Sequence, residues 1–208
     1  MPFLTYDQLT AKLRIGPLRE LARELIFEGE PFVFRRAPEA YALLREHLHS
    51  ELGIQENEVF VVGSGKTGFS VSPDSFGRPF SRRSDIDVVL VDSAIFDRLW
   101  ITLLEWHYPR RTGRLGGADW QWVKDRRDDL YWGRFFDRDV RPQWSAISLR
   151  RPLQYWMDFS TRWFEAFQSL SRYEVFSPWH VSGRLYRTRE HAIEYHAEGL
   201  RQVAKLVR

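Results

Sequence analysis

Apolar residues along this chain recur at two spacings, and the places where the spacing changes mark its elements. Leu18, Leu21, Leu25 and Ile26 recur every three or four positions, which predicts helix within Tyr6–Glu28. Gly16-Pro17 breaks that segment, because proline lacks an N–H and fixes its own φ. Tyr41, Leu44, Leu48 and Leu52 predict a second helix from about Pro38 to Leu52, with proline in its first turn and Gly53 just beyond its end. Two short hydrophobic runs, Val59–Val62 and Ile86–Val91 (interrupted only by Asp87), read as strands. Ser93 is the expected N-cap of a helix over Ala94 to about Trp106, with Ile95, Leu99, Leu103 and Trp106 inward.

Pro109 to Ala118 is basic and glycine-rich and reads as a mobile loop. Trp120 to Phe136 is expected to begin as helix, and Asp137 to Pro142 to be irregular. Arg151 to Leu170 reads as a long aromatic helix carrying Trp156, Phe159, Trp163, Phe164 and Phe167. Val181–Tyr186 reads as a late strand, and Arg189–Val207 as a final helix with Ile193, His196, Leu200, Val203 and Leu206 inward. No internal repeat or Gly/Pro/Ser-rich linker divides the chain. The expectation is one α+β domain over residues 1–208: N-terminal helices (1–55), a core with a small mixed sheet (56–188) and a C-terminal helix (189–208).

Composition narrows the class. The 208 residues are 43% hydrophobic and 15% aromatic, enough to bury a sizeable core, and the nine Trp are expected mainly inside it. The absence of cysteine excludes disulfides, thiolate catalysis and Cys-based zinc sites. The start, Met1-Pro2-Phe3-Leu4-Thr5-Tyr6-Asp7, does not pattern as a signal peptide, and no apolar run approaches membrane-spanning length. A soluble, cytoplasmic protein without membrane contact is expected. The formal net charge of +3 is compatible with nucleic acid without demanding it.

The candidate chemistry lies at the ends of the two predicted strands. Val59-Phe60-Val61-Val62 runs into Gly63-Ser64, and Ser84-Asp85-Ile86-Asp87 opens the second strand. Side chains alternate along a strand, so Asp85 and Asp87 share a face while Ile86 enters the core. Two carboxylates on one face repel each other, and a hard divalent cation relieves the repulsion; Mg²⁺ suits such oxygen ligands, with Mn²⁺ as the alternative. Glycine lets the backbone approach a phosphate closely. Gly65-Lys66-Thr67 also resembles the end of a P-loop, but the glycine that motif needs upstream is Phe60 here, inside an apolar strand. His47 with His49, and His191 with His196, lack the spacing that would put both on one metal.

The pairing Val-Gly-Ser … Ser-Asp-Ile-Asp-Val, within Val59–Asp92, resembles the signature of the DNA polymerase β-like nucleotidyltransferase superfamily. The wider layout resembles its compact bacterial stand-alone members. The resemblance implies an Mg²⁺-dependent enzyme that moves a nucleoside monophosphate from a nucleoside triphosphate to a hydroxyl of an RNA end, a protein or a small molecule. It implies Asp85 and Asp87 as metal ligands, and Gly63, Ser64, Lys66 and Ser84 as nucleotide contacts. Stand-alone relatives often serve toxin–antitoxin or phage-defence modules, which would add a protein partner. In one respect the chain departs from the pattern: residues 65–84 make the gap between Ser64 and Asp85 longer than usual, and Pro73–Pro79 reads as a turn-rich loop within it.

The superfamily also uses a third carboxylate from a later strand. Val181–Tyr186 carries none, with Arg184 and Arg187 there instead. Glu174 is the nearest positional candidate, and Asp119 and Asp158 are alternatives. Arg78, Arg82 and Arg83, beside the proposed metal site, are candidate RNA contacts, and Arg110, Arg111 and Arg114 form a second basic segment. Trp120 and Trp122 are candidates for base stacking. The alternative function is a nucleotide-binding or scaffold protein of the same fold without turnover.

Overall fold

The computed structural model describes residues 3–108, 125–136 and 153–207. The expected loop at 109–118, and with it Asp119, Trp120, Trp122, Arg110, Arg111 and Arg114, lies outside the described residues, as does the stretch 137–142.

Two helices open the chain, α1 (Tyr6–Ile15) and α2 (Leu18–Phe27), parted at Gly16-Pro17 as expected. Thr5 and Gln8 form a reciprocal capping box that satisfies the first turn of α1. After a 3₁₀ turn at Phe32–Phe34, α3 (Glu39–Leu52) ends at Gly53, whose φ of 78° closes the last turn. β1 (Val59–Val62) leads directly into a single short helix, α4 (Gly63–Thr67). β2 (Ile86–Val91) is followed by α5 (Ser93–His107). The cap of α5 is Asp92 rather than Ser93: its Oδ1 accepts from the Ile95 N–H at 2.8 Å. A carboxylate at that position also suits the positive end of the helix.

A helical segment at 125–131 precedes β3 (Arg134–Phe136), a strand the apolar pattern did not announce. α6 (Gln154–Ser169), β4 (Val181–Tyr186) and α7 (Arg189–Leu206) complete the described chain. The four strands form one mixed sheet in the order β1-β2-β4-β3. β1 is antiparallel to β2, β2 is parallel to β4, and β3 is antiparallel to β4. The fold is therefore α+β, a small mixed sheet flanked by helices.

Alternation divides the sheet between two cores. Ile86, Val88 and Leu90 join Val59, Val61 and Leu185 against the aromatic and aliphatic faces of α3, α5 and α6. Val89 and Val91 join Phe60, Val62 and Tyr186 against α1, α2 and α7. Helices on both faces explain why β1 is apolar at every position. Gly183 in β4 is required by packing: a Cβ there would lie 2.2 Å from Phe167 Cζ and 2.8 Å from Trp163 Cζ2, both on α6. Leu206, expected inward, is 62% exposed near the end of α7. No helix among the described residues is long and apolar enough to cross a membrane.

Candidate functional site

β1 ends where β2 begins, so the two halves of the motif meet. Val62 pairs with Asp87 across the antiparallel ladder, and Gly63 is the next residue along. Gly63 has φ +60°, a conformation that side chains disfavour, and a Cβ on it would stand 3.3 Å from Asp87 Oδ2. The turn thus passes close to the carboxylate, with little room for a side chain between them. Thr67 fixes the turn from behind, its hydroxyl oxygen 2.5 Å from the Phe69 carbonyl and 3.1 Å from the Gly63 carbonyl, so that its single proton is offered to one or shared between them. Ser64 faces the same space, and its hydroxyl has no hydrogen-bond partner among the described residues.

Asp85 and Asp87 share the sheet face that looks toward α7. Asp87 is the more enclosed, its side chain 33% exposed against 65% for Asp85. Burial pushes the Asp87 carboxyl above the usual carboxylate range, and the charge of Asp85 adds to the rise. Arg184 and the Ser182 hydroxyl oppose it. Arg184 comes from the neighbouring strand β4, on the same face, and its Nη2 lies 3.4 Å from Asp87 Oδ1. His180 Nδ1 lies 4.0 Å from Asp85 Oδ1.

The long insert between the turn and β2 folds back as an ordered hairpin. Phe80 N donates to Gly68 O, Ser70 N to Arg78 O and Gly77 N to Ser70 O, each at 2.8–2.9 Å. Ser70 Oγ bonds Ser75 Oγ inside the loop at 2.8 Å, and Tyr6 packs on Phe69 and Phe76. Ser84 caps the following turn, its hydroxyl accepting from Ser81 N at 3.0 Å. Sheet, hairpin, α2 and α7 line an open cavity of about 1280 Å³. Gly63, Ser64, Ser84, Asp85 and Asp87 all line it, and so do Arg78 and Arg83.

Protein-family profiles, curated proteins and solved structures give no match to this chain.

Other residues singled out in the sequence stand elsewhere. Lys66 does not line the cavity: it is nearly buried and its Nζ donates to the Gly29 carbonyl at 2.5 Å. Two residues along a helix are about 200° apart, so Ser64 and Lys66 leave α4 on opposite sides. Burial pulls the Lys66 ammonium down to about 8. Glu174 is exposed outside the cavity, in a turn whose Tyr173 and Phe176 pack against His47 and Phe34 on the α3 side of the sheet. Asp158 is exposed on α6 and receives a hydrogen bond from Gln154. Arg82 does not line the cavity either. Among the described residues no three His, Asp or Glu side chains converge as a metal-ion cluster.

The sequence reading missed Arg134, Tyr131 and Trp132, all of which line the cavity. They flank Gly133, and a glycine between aromatic residues and an Arg-Phe-Phe run was an available turn-and-strand signal. In the sequence Arg184 merely stands in the late strand where a carboxylate is expected; its contact with Asp87 makes it part of the site.

Proposed function

We propose that this protein binds a nucleoside triphosphate with Mg²⁺ at the corner formed by Gly63, Ser64, Asp85 and Asp87, and transfers its nucleoside monophosphate to a hydroxyl acceptor. The observation that carries the reading is the close approach of the Gly63 turn to Asp87, where a Cβ on Gly63 would stand 3.3 Å from Asp87 Oδ2, with the Gly-Ser turn and both carboxylates lining one cavity. The resemblance to polymerase β-like nucleotidyltransferases supplies the chemistry.

The donor set fits a hard divalent cation. Two carboxylates share one sheet face, and burial, with the neighbouring charge of Asp85, raises the carboxyl of the enclosed member against the opposing pull of Arg184. A site of one or two carboxylates completed by substrate phosphates and water is the usual Mg²⁺ arrangement, and Mn²⁺ fits the same donors. Bound there, the cation would supply positive charge to the phosphate oxygens and lower the pKa of a coordinated hydroxyl. Asp85 and Asp87 would hold it, while Gly63 and Ser64 would seat the triphosphate. In the transfer, the acceptor oxygen bonds the α-phosphorus, the bond to the bridging oxygen breaks, pyrophosphate leaves, and the hydroxyl proton passes to a carboxylate or water.

One observation favours the second reading, binding without turnover. Where a third carboxylate would be expected from the late strand, β4 brings Arg184 against Asp87 instead. Incubation with each labelled nucleoside triphosphate, Mg²⁺ and RNA, protein or small-molecule acceptors separates the two. Label transfer with pyrophosphate release that disappears in Asp85→Ala and Asp87→Ala supports the enzyme. Mg²⁺-dependent binding with no pyrophosphate from any acceptor supports the second reading.

A further inference from the structure

The helical segment at 125–131 ends in a turn that presents two large rings to solvent. Tyr131 is 77% exposed and Trp132 is 54% exposed, and their rings meet edge to face at 5.0 Å. The turn is firmly held. Trp132 N donates to Asp128 O at 2.9 Å and Gly133 N to Leu130 O at 3.2 Å, while Arg187 N donates to Gly133 O at 2.9 Å. Gly133 has φ +61°, and a Cβ on it would lie 2.2 Å from His191 Cδ2, so the backbone is seated directly on α7. Arg134 then enters the sheet opposite Tyr186. Folding normally buries rings of this size, yet here a fixed backbone displays them at the cavity that contains Asp85 and Asp87.

Two further features describe what the rings meet. At about 1280 Å³ the cavity is larger than the ~300–1,000 Å³ usual for a single small ligand, leaving room for a second occupant. Its charge is also uneven. The acidic residues that α7 contributes are tied into ion pairs, Glu190 and Glu194 with Arg19 and Glu198 with Arg201. Arg78 and Arg83 have no carboxylate partner among the described residues. Arg134 places its guanidinium 5.7 Å from the centre of the Trp132 ring. Exposed aromatic faces, together with the Arg78 and Arg83 guanidinium groups that meet no carboxylate among the described residues, match the requirements of single-stranded nucleic acid, whose bases are free to stack and whose phosphates are not neutralised.

We propose that the acceptor is the end of a single-stranded nucleic acid, with its bases stacked on Tyr131 and Trp132 and its phosphates held by Arg78 and Arg83. The proposal rests on the nucleotidyl-transfer reading for directing the terminal hydroxyl toward Asp85 and Asp87. A duplex hides its base faces and offers the two rings nothing to stack on.

Fluorescence anisotropy tests this with the full chain and labelled oligonucleotides of about twelve residues, a length within known single-strand site sizes. Single-stranded RNA, single-stranded DNA and the duplex of the same sequence form the three arms. Either single strand is expected to bind better than the duplex, and a preference between the first two identifies the sugar. Tyr131→Ala with Trp132→Ala should weaken single-strand binding about tenfold or more, and Trp132→Phe should restore much of it. Arg78→Ala with Arg83→Ala should lower the salt slope by roughly 1 to 1.5. Binding of a non-hydrolysable triphosphate with Mg²⁺, measured on the same variants, should stay unchanged. Triphosphate binding without oligonucleotide binding overturns the proposal and leaves the nucleotide site intact. Oligonucleotide binding without triphosphate binding supports the surface and removes the nucleotide reading. Equal affinity for duplex, or aromatic variants that alter only the oligomeric state in sedimentation, overturns it.

Discussion

Four side chains and one backbone turn define the site, and each makes a separate demand. Gly63 must hold a positive φ and leave room for Asp87, so Gly63→Ala combines backbone strain of roughly 1–2 kcal/mol with a push on the carboxylate. A modest fall in thermal midpoint is expected, with a larger loss of Mg²⁺-dependent triphosphate affinity; equal affinity in both proteins would detach the turn from the site. Arg184 competes with any cation for Asp87. Arg184→Gln is therefore expected to tighten Mn²⁺ binding to the free protein, measured by titration, while lowering fold stability because Asp87 loses its counter-charge. Weaker Mn²⁺ binding would mean that Arg184 positions Asp87 for the metal rather than opposing it. His196 on α7 has a buried Nε2 without a hydrogen-bond partner among the described residues, and burial pulls its imidazole down to about 3. The unfolded chain takes up a proton near 6.5 that the fold refuses, so His196 costs stability as pH falls from about 6.5 toward 3, by at most about 1.4 kcal/mol per pH unit. His196→Phe should flatten that part of the stability–pH curve; an unchanged slope would place the acid sensitivity in other groups.

Elements differ in how openly the chain announced them. Apolar period marked α2, α3, α5, α6 and α7, the Gly16-Pro17 break set α1 apart, and hydrophobic runs marked β1 and β2. These segments bury contiguous faces, so their patterns were fixed by packing. β3 is only three residues long and owes its existence to pairing with β4, a non-local contact that no local period records. The same reason hid Tyr131, Trp132 and Arg134. Gly63, Ser64, Asp85 and Asp87 were legible because a turn and a strand end impose them at fixed positions. The fate of Lys66 was not, since the sequence does not show that α4 lasts one turn and sends that side chain to Gly29. At this scale Gly183→Ala is the sharpest test of packing. Its methyl group would meet two rings of α6, and overpacking of this kind typically costs ~1–3 kcal/mol. A denaturation midpoint equal to wild type would mean that α6 shifts freely on the sheet.

At the scale of the whole molecule, the sheet separates two environments. One face carries the aromatic core against α3, α5 and α6 and holds Glu174 and Asp158 on its side, outside the cavity that the paired aspartates line. The other face, toward α7, carries Asp87, Arg184 and the large cavity, closed on one flank by the ordered hairpin at residues 68–80. Division of labour between the faces means that substitutions at Asp85 or Asp87 should leave the fold standing, because neither carboxylate supports the core. The central claim is that this cavity is a cation-dependent nucleotide site. It is tested most directly by calorimetric titration of an α,β-methylene nucleoside triphosphate into the protein with Mg²⁺ and with a chelator, in wild type and in Asp87→Asn. Binding in wild type only when Mg²⁺ is present, and its loss in a folded Asp87→Asn, is the expected result. Binding that is the same with chelator and the same in Asp87→Asn, or no binding of any nucleotide by wild type, would contradict it.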